Sequence, residues 1–362
     1  HYKLFSFIPI NKIRIDSSRN KKTYTFLGII PIFTTKGNVD AINNKVNIPK
    51  DDSFNSRILI NQQENLNIYH AITKNSPIKI NADKTRIPIF FANNNNNVNA
   101  LSVAIISILE NTDSFCEFYI LESDVTDSCK SKLETIKNRY GNFSIEWLKV
   151  KPQEIFKDLS VESAIGNKGF SWFSYYDIYT RFLIPDLKPS IDKALYLDYD
   201  IVVLGDIKEL FEQNLGEFAI GGVSTIDSRV ELLDTLAIPR THSYFGSGVL
   251  LMDCEKLRND NFLDKMLKIG VKYKDKLIYP DQDMLNIYFA TNNYKIMDYK
   301  FCVLNGTFSE ETIIQHFNGA KPWNIRSYNK NNWSEWWYYA VKSPFYNSIY
   351  KKFIENSSYT LL

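Results

Sequence analysis

Two aspartates one residue apart, Asp198 and Asp200, are the residues of this sequence best placed to do chemistry. They interrupt an apolar stretch over residues 194–203, which is typical of a buried strand. Alternate strand residues point the same way, so both carboxylates could bind one cation. Mg²⁺ and Mn²⁺ prefer oxygen ligands and often bridge to substrate phosphates. The pair therefore indicates either a metal–diphosphate site or an aspartate-nucleophile phosphatase.

A second polar cluster, His316, Gly319 and Lys321, follows another apolar stretch far along the chain. An imidazole can complete a metal site that already has two carboxylates. A glycine lets backbone N–H groups approach a phosphate, and a lysine supplies a compact positive charge. Because a phosphatase of this type has no use for the cluster, the two motifs together favour a site for a metal-bound nucleoside diphosphate.

The elements around these motifs alternate between strand and helix patterns. Strands are predicted at residues 87–92, 116–121 and 143–148, with helices at 100–110, 128–139 and 173–185 between and after them. This order predicts an α/β fold with parallel strands. Residues 245–253 indicate a glycine-rich turn that enters another buried strand. In such folds ligands bind beyond the carboxyl ends of the strands, where the asparagine run 93–97 and the aspartate pair both lie.

The overall charge is nearly balanced, with 43 Lys and Arg against 41 Asp and Glu, which gives a formal net charge of +2. Such a balance does not indicate nucleic-acid binding. The four cysteines are scattered without a CxxC pair, as is typical of proteins of a reducing cytosol. No apolar run approaches the roughly 20 residues that cross a bilayer. We therefore expect a cytoplasmic protein.

Composition divides the sequence into three segments. Residues 1–85 are polar and form a predicted N-terminal appendage, residues 86–323 carry the strand–helix pattern of a catalytic domain, and residues 324–362 are aromatic and basic. Tryptophan, tyrosine and lysine favour membrane interfaces, so the last segment predicts peripheral contact with the cytoplasmic face of the inner membrane. The alternative, that Trp336 and Trp337 pack in the protein interior, is equally open.

In chain order, these motifs resemble those of the family 8 glycosyltransferases. These are retaining enzymes with a GT-A fold, and they include bacterial lipopolysaccharide glucosyl- and galactosyltransferases. The matching segments are the first strand and its loop, Tyr-x-Arg at 179–181, Leu-Asp-x-Asp at 197–200, Phe-x-x-Gly-Val at 245–249, Asp-Gln-Asp at 281–283 and the segment 316–323. The resemblance covers about residues 86–323. It implies a GT-A-type, Rossmann-like mixed sheet flanked by helices.

The resemblance also implies a role for each matching residue. Asp198, Asp200 and His316 would ligate Mn²⁺ or Mg²⁺. Gln282, beside the anomeric carbon, and Asp281, on hydroxyls of the donor sugar, would be the catalytic residues. The residues that bind the donor would be Ala92, Asn94 and Asn96 at the uridine, Arg181, Asp198 and Tyr199 nearby, and Gly319 and Lys321 at the diphosphate.

The implied reaction moves glucose or galactose from a UDP-hexose to a saccharide or glycolipid acceptor such as lipopolysaccharide, with retained anomeric configuration. The sequence departs from the family pattern in two places: Asn94 and Asn95 stand where acidic residues are usual, and Gly246 where an asparagine is frequent. These changes leave the donor and the acceptor open. A non-catalytic nucleotide-sugar-binding homologue and a self-glycosylating priming protein also remain as alternatives.

Overall fold

The computed structural model describes residues 85–159, 176–225, 230–304, 309–324 and 334–358, together with four short strands before residue 35. The chain divides into two compact units, Lys79–Asn318 and the combination of His1–Ile78 with Gly319–Leu362. Most of the predicted N-terminal appendage lies outside the described residues. The boundaries predicted at residues 85 and 323 therefore stay predictions.

The unit that combines the two ends of the chain contains two small antiparallel sheets. Its strands are β1 (Lys3–Phe5), β2 (Arg14–Asp16), β3 (Lys21–Thr23) and β4 (Ile32–Thr34). In these sheets β1 pairs with β4, and β2 pairs with β3.

The unit Lys79–Asn318 carries the sheets that position the candidate site. Its described strands are β5 (Arg86–Asn93), β6 (Phe115–Glu122), β7 (Phe143–Lys149), β8 (Lys193–Leu197), β9 (Ile201–Val203), β10 (Ile220–Ser224), β11 (Phe245–Asp253), β12 (Lys295–Met297), β13 (Val303–Leu304) and β14 (Ile314–His316). Its described helices are α1 (Val98–Asn111), α2 (Asp127–Glu134), α3 (Pro152–Ile155), α4 (Ile184–Leu187), α5 (Lys208–Phe211), α6 (Val230–Thr235), α7 (Cys254–Asn259), α8 (Phe262–Tyr273) and α9 (Pro280–Asn292).

These strands form a seven-stranded sheet in the order β12-β10-β11-β8-β5-β6-β7 and a three-stranded sheet in the order β13-β14-β9. β5 pairs in parallel with β6 and β8, and β6 in parallel with β7, as expected for strands joined by helical crossovers. β11 runs antiparallel to both β8 and β10. The predicted α/β fold with a mixed sheet flanked by helices is therefore confirmed.

Apolar burial explains why these elements pack together. Helix α1 is buried at 11 of its 14 residues, which is typical of a helix enclosed in a protein core. On the large sheet, aromatic rings from several elements form one core cluster, among them Phe90, Tyr179, Phe182, Tyr196 and Phe245. Each such ring stabilises the fold by about 1.5–3 kcal/mol through removal of apolar surface from water.

Two local predictions differ from the structure. The helix predicted over residues 173–185 is a 3₁₀ helix at Tyr176–Leu183 followed by α4, within the part of that range that is described. There the Thr180 hydroxyl and the Arg181 Nε each donate to the carbonyl three residues earlier, which suits the tighter 3₁₀ turn. Residues 245–248, predicted as a turn, are the first residues of β11.

The C-terminal segment forms helices α10 (Ser334–Ala340) and α11 (Tyr346–Ser358). Trp336 and Trp337 are both buried, as the alternative of interior packing predicts. Trp336 packs against Trp323 at 5.1 Å between ring centroids, and the Trp337 indole N–H donates to the Pro322 carbonyl at 3.2 Å. Among the described helices, none combines the length and the apolar character that a membrane span requires.

Candidate functional site

The aspartate pair lies on the short link between β8 and β9. β8 belongs to the seven-stranded sheet and β9 to the three-stranded sheet. The Asp198 N–H donates to the Gly248 carbonyl at 2.8 Å, which continues the pairing of β8 with β11. The Phe317 N–H donates to the Asp200 carbonyl at 2.9 Å, beside the pairing of β14 with β9. Each aspartate is therefore fixed by a different sheet, and His316 ends the strand that fixes Asp200.

The structure brings the three predicted metal ligands together. His316 Nε2 lies 3.2 Å from Asp200 Oδ1 and 3.7 Å from Asp198 Oδ2. One ligand atom from each residue lies within 4.8 Å of the others. Two carboxylates and one imidazole suit a hard divalent cation such as Mn²⁺.

Gly248 explains how this cluster fits under β11. A Cβ atom at this position would lie 2.4 Å from His316 Cε1 and 2.6 Å from Asp198 Oδ2. Any other residue would therefore displace two of the three ligands. The close approach of the glycine and the chemistry of the donor set both fit a bound metal ion.

The electrostatics of the cluster favour a positive charge. Burial lowers the pKa of His316, but the nearby carboxylate of Asp200 and the contact with Cys302 outweigh it and raise the pKa to about 10. The Asp200 carboxylate thus attracts a proton to the imidazole when no other cation neutralises it. A divalent ion bound by the same three residues would replace that charge.

Arg181 connects the aspartate pair to the Asp-Gln-Asp motif. Its guanidinium is nearly fully buried and lies 3.2 Å from Asp198 Oδ1 and 3.2 Å from Asp281 Oδ2. Its Nη1 also donates to the Ser247 carbonyl at 2.6 Å. Burial raises the pKa of Asp281, and Arg181 opposes that shift. Arg181 therefore bridges a predicted metal ligand and a predicted sugar-binding residue.

Tyr196 supports the same carboxylate and was not singled out by the sequence analysis. Its hydroxyl donates to Asp198 Oδ1 at 2.7 Å, and its ring lies 4.4 Å from the Arg181 guanidinium carbon. A tyrosine inside an apolar strand is usually a core residue, so its type alone does not indicate a contact with Asp198. The available signal was its position two residues before Asp198, on the same face of the strand.

Helix α9 presents Asp281 and Gln282 beside the start of β11. The Ser247 N–H donates to Gln282 Oε1 at 3.2 Å. Asn286, one turn further along, is fully buried, and its side-chain amide exchanges two hydrogen bonds of 2.9 Å with the Phe245 backbone. The same amide donates to the Gln282 carbonyl at 2.8 Å. Asn286 thus fastens the helix to the strand, a role that the sequence analysis missed.

The polar loop after β5 holds the predicted uridine-binding residues. Ala92 belongs to the core cluster, Asn94 Nδ2 donates to Asp177 Oδ2 at 3.1 Å, and the Asn96 N–H donates to Asn94 Oδ1 at 3.1 Å. Burial raises the pKa of Asp177, and the hydrogen bond from Asn94 opposes this. An acidic side chain therefore lies beside the position where the family pattern places one, although it comes from another element.

The remaining predicted residues are more dispersed. Tyr199 lies between the two aspartates and is half-buried, and burial raises the pKa of its hydroxyl. Gly319 has a positive φ of 87°, a conformation that favours glycine. Gly319 and Lys321 belong to the compact unit that combines the chain ends, so their role toward a diphosphate stays a prediction.

The sequence model of glycosyl transferase family 8 matches residues 88–326 of the chain. The protein therefore belongs to this family. The match includes the aspartate pair, Arg181, the Asp-Gln-Asp motif and His316. It supports the metal-site hypothesis over the aspartate-nucleophile phosphatase.

Particular relatives agree with this assignment. Glycosyltransferase GlyF of Streptococcus pneumoniae serotype 4 is 28% identical over 62% of this chain and 54% of its own length, so the chain spans about half of that relative. Lipopolysaccharide 1,3-galactosyltransferase of Salmonella typhimurium is 23% identical over 67% of this chain and 74% of its own length. A crystal structure of the galactosyltransferase LgtC superposes with a TM-score of 0.61, at 22% identity over 71% of this chain and 96% of that one. The last comparison shows that the fold is shared with a GT-A glycosyltransferase.

Proposed function

We propose that the protein is a metal-dependent retaining glycosyltransferase that moves a hexose, glucose or galactose, from a UDP-sugar to a saccharide acceptor. The observation that carries this proposal is the convergence of Asp198, Asp200 and His316 beside Gly248. A divalent ion held there, Mn²⁺ or Mg²⁺, would stabilise the negative charge that develops on the leaving diphosphate. Lys321 would add a further positive charge to the same diphosphate.

The chemistry of the residues around Asp281 and Gln282 supports a retaining reaction that forms no covalent intermediate. Asp281 is buried and paired with Arg181, and Asp198 and Asp200 would hold the metal, so none of the three is suited to act as nucleophile. Gln282 is neutral and is oriented by the Ser247 N–H. Its amide would stabilise the positive charge on the anomeric carbon, while the acceptor attacks from the face that the diphosphate leaves.

Uracil and acceptor recognition are further parts of the proposal. Asn94 and Asn96 would hold the base, with Asp177 as their support. A lipopolysaccharide or another surface glycan is the proposed acceptor, because lipopolysaccharide glycosyltransferases are among the relatives. Membrane contact is not part of the proposal, since Trp336 and Trp337 are buried.

Ligand-dependent stabilisation of the full chain tests the proposal. Thermal unfolding would be followed with UDP-glucose, UDP-galactose, a GDP-hexose and a CDP-hexose, each with and without Mn²⁺. Stabilisation by a UDP-hexose that requires Mn²⁺ is the expected result, worth about 2.7 kcal/mol at a ligand concentration 100-fold above Kd. Stabilisation without metal, or by a different nucleotide, contradicts the proposed donor or cofactor.

Transfer by an Asp200→Asn variant tests catalysis as distinct from binding. The substitution keeps the size of the side chain but removes a charged metal ligand, so Mn²⁺-dependent release of UDP should be lost. Asp264→Asn, on the exposed face of α8, is the matched control and should behave as the wild type. A wild-type protein that binds UDP-hexose and Mn²⁺ but releases no UDP with any saccharide would instead favour the non-catalytic homologue.

A further inference from the structure

A buried thiol lies behind the metal-binding imidazole. Cys302 is only 5% exposed, and its Sγ lies 3.8 Å from His316 Nδ1. The other ring nitrogen, Nε2, faces the carboxylates of Asp198 and Asp200. The imidazole is therefore held from both sides, by the aspartate pair in front and by one sulfur atom behind.

The three-stranded sheet β13-β14-β9 positions Cys302 near His316. Cys302 immediately precedes β13, and its N–H donates to the Tyr299 carbonyl at 3.0 Å. β13 pairs in parallel with β14, with Leu304 opposite His316. The thiol and the imidazole are thus placed by paired backbone segments, so their proximity does not depend on one side-chain rotamer alone.

When a metal is bound, one ring nitrogen of His316 is the ligand and the other carries a proton. The nitrogen that ligates the ion must offer a lone pair, so the proton of a neutral imidazole then lies on the other nitrogen. With Nε2 toward the carboxylates, the proton must lie on Nδ1, where Cys302 Sγ is the hydrogen-bond partner within reach among the described residues. Metal-bound histidines usually donate this second N–H to a neighbouring acceptor, which fixes the tautomer and the ring orientation.

We infer that Cys302 is a positioning residue for the metal site, where its sulfur accepts the Nδ1–H of His316 and holds Nε2 toward the ion. This inference rests on the proposed metal-dependent function. Sulfur is a weak acceptor compared with the carboxylate or carbonyl oxygens that usually serve this role. The thiol therefore sets the Mn²⁺ affinity below the value that an oxygen acceptor at the same place would give.

Two substitutions of similar size separate hydrogen bonding from packing. Cys302→Val keeps an apolar side chain but removes the acceptor, and Cys302→Asn replaces the sulfur by an amide oxygen. Cys254→Ala is the control for the loss of a buried thiol. Cys254 is also buried, but it follows the end of β11 that pairs with the start of β8, away from Asp198.

The readout is the Kd for Mn²⁺, measured with and without UDP from the electron paramagnetic resonance signal of the free ion. Loss of an outer-shell partner typically weakens metal binding by about 10–100-fold, and for a weak sulfur acceptor we expect about tenfold in Cys302→Val. Cys302→Asn should bind Mn²⁺ at least as tightly as the wild type. The Cys254→Ala control should stay within about twofold of it, a range that outer-shell loss exceeds.

The outcomes distinguish this inference from the proposed function. If the wild type binds no Mn²⁺, the proposed function fails first. If the wild type binds Mn²⁺ and Cys302→Val binds it equally well or better, the sulfur is not an acceptor and the inference is overturned. Cys302→Ala, which adds no bulk, gives the same decision if the valine variant does not fold.

Discussion

Gly248→Ala is the sharpest test of the site, because it adds one carbon atom at the point where β11 crosses the proposed metal ligands. The new Cβ would lie 2.4 Å from His316 Cε1 and 2.6 Å from Asp198 Oδ2. Ordinary van der Waals contact for such an atom begins at 3.4 Å. At least one ligand must therefore move by about 1 Å, the difference between 3.4 Å and 2.4 Å.

A displacement of this size is large for metal coordination, since ligand distances tolerate only about 0.2 Å. Loss of a group that only orients a ligand weakens metal binding by about 10–100-fold, so displacement of a ligand itself should raise the Kd for Mn²⁺ by about 100-fold. Overpacking should also lower the free energy of unfolding by about 1–3 kcal/mol. The fold should survive this loss, because small domains have about 5–15 kcal/mol of stability.

The neighbouring glycine supplies the control. A Cβ at Gly246 would meet Thr225 Cγ2 at 3.7 Å and Gln282 Oε1 at 3.8 Å, both ordinary contacts. Gly246→Ala makes the same chemical change in the same strand and should leave the Kd for Mn²⁺ unchanged. Metal binding would be measured by calorimetry and folding by urea denaturation. Wild-type Mn²⁺ affinity in a folded Gly248→Ala protein would refute the assignment of these ligands.

Three other substitutions test the groups around the ligands. Tyr196→Phe removes the hydroxyl that donates to Asp198 and should lower the urea-unfolding free energy by about 1 kcal/mol. Arg181→Met leaves the buried carboxylate of Asp281 without its cationic partner and should cost about 3–5 kcal/mol, part of which a second change, Asp281→Asn, should restore. Burial raises the pKa of Asp283 to about 6, above the value near 3.8 of an exposed aspartate, so its contribution to stability is present below pH 4 and is lost as the pH rises through 6. The urea-unfolding free energy of the wild type relative to that of Asp283→Asn should therefore fall by about 2 kcal/mol from pH 4 to pH 7, and a constant difference would contradict the shift.

The parallel half of the fold was predictable because its elements follow one another along the chain. Apolar residues recur at the spacing of a strand or a helix in each of five successive elements, namely β5, α1, β6, α2 and β7. Helical crossovers join the strands that are neighbours in the sheet. The antiparallel half was not predictable in the same way. The glycines at 246 and 248 indicated a turn by their type, but both lie in β11, where Gly248 lets the strand approach His316 and Asp198 closely.

The three residues of the candidate metal cluster were predictable from the sequence, and the residues that support them were not. Charged residues in apolar strands stand out because burial of a lone charge is costly, so Asp198 and Asp200 could be found without a structure. Tyr196, Asn286 and Cys302 resemble ordinary core residues in the sequence. Their importance comes from contacts with residues on other elements, which local spacing does not reveal.

The contacts of Asp198 also determine which of its oxygens is left for a metal. Oδ1 accepts hydrogen bonds from Arg181 and Tyr196, whereas Oδ2 faces His316. Oδ2 is therefore the oxygen of Asp198 that would hold an ion in the proposed site, beside Asp200 and His316. The contacts from Arg181 and Tyr196 to Oδ1 thus keep Oδ2 directed at His316, the orientation that the proposed metal site requires.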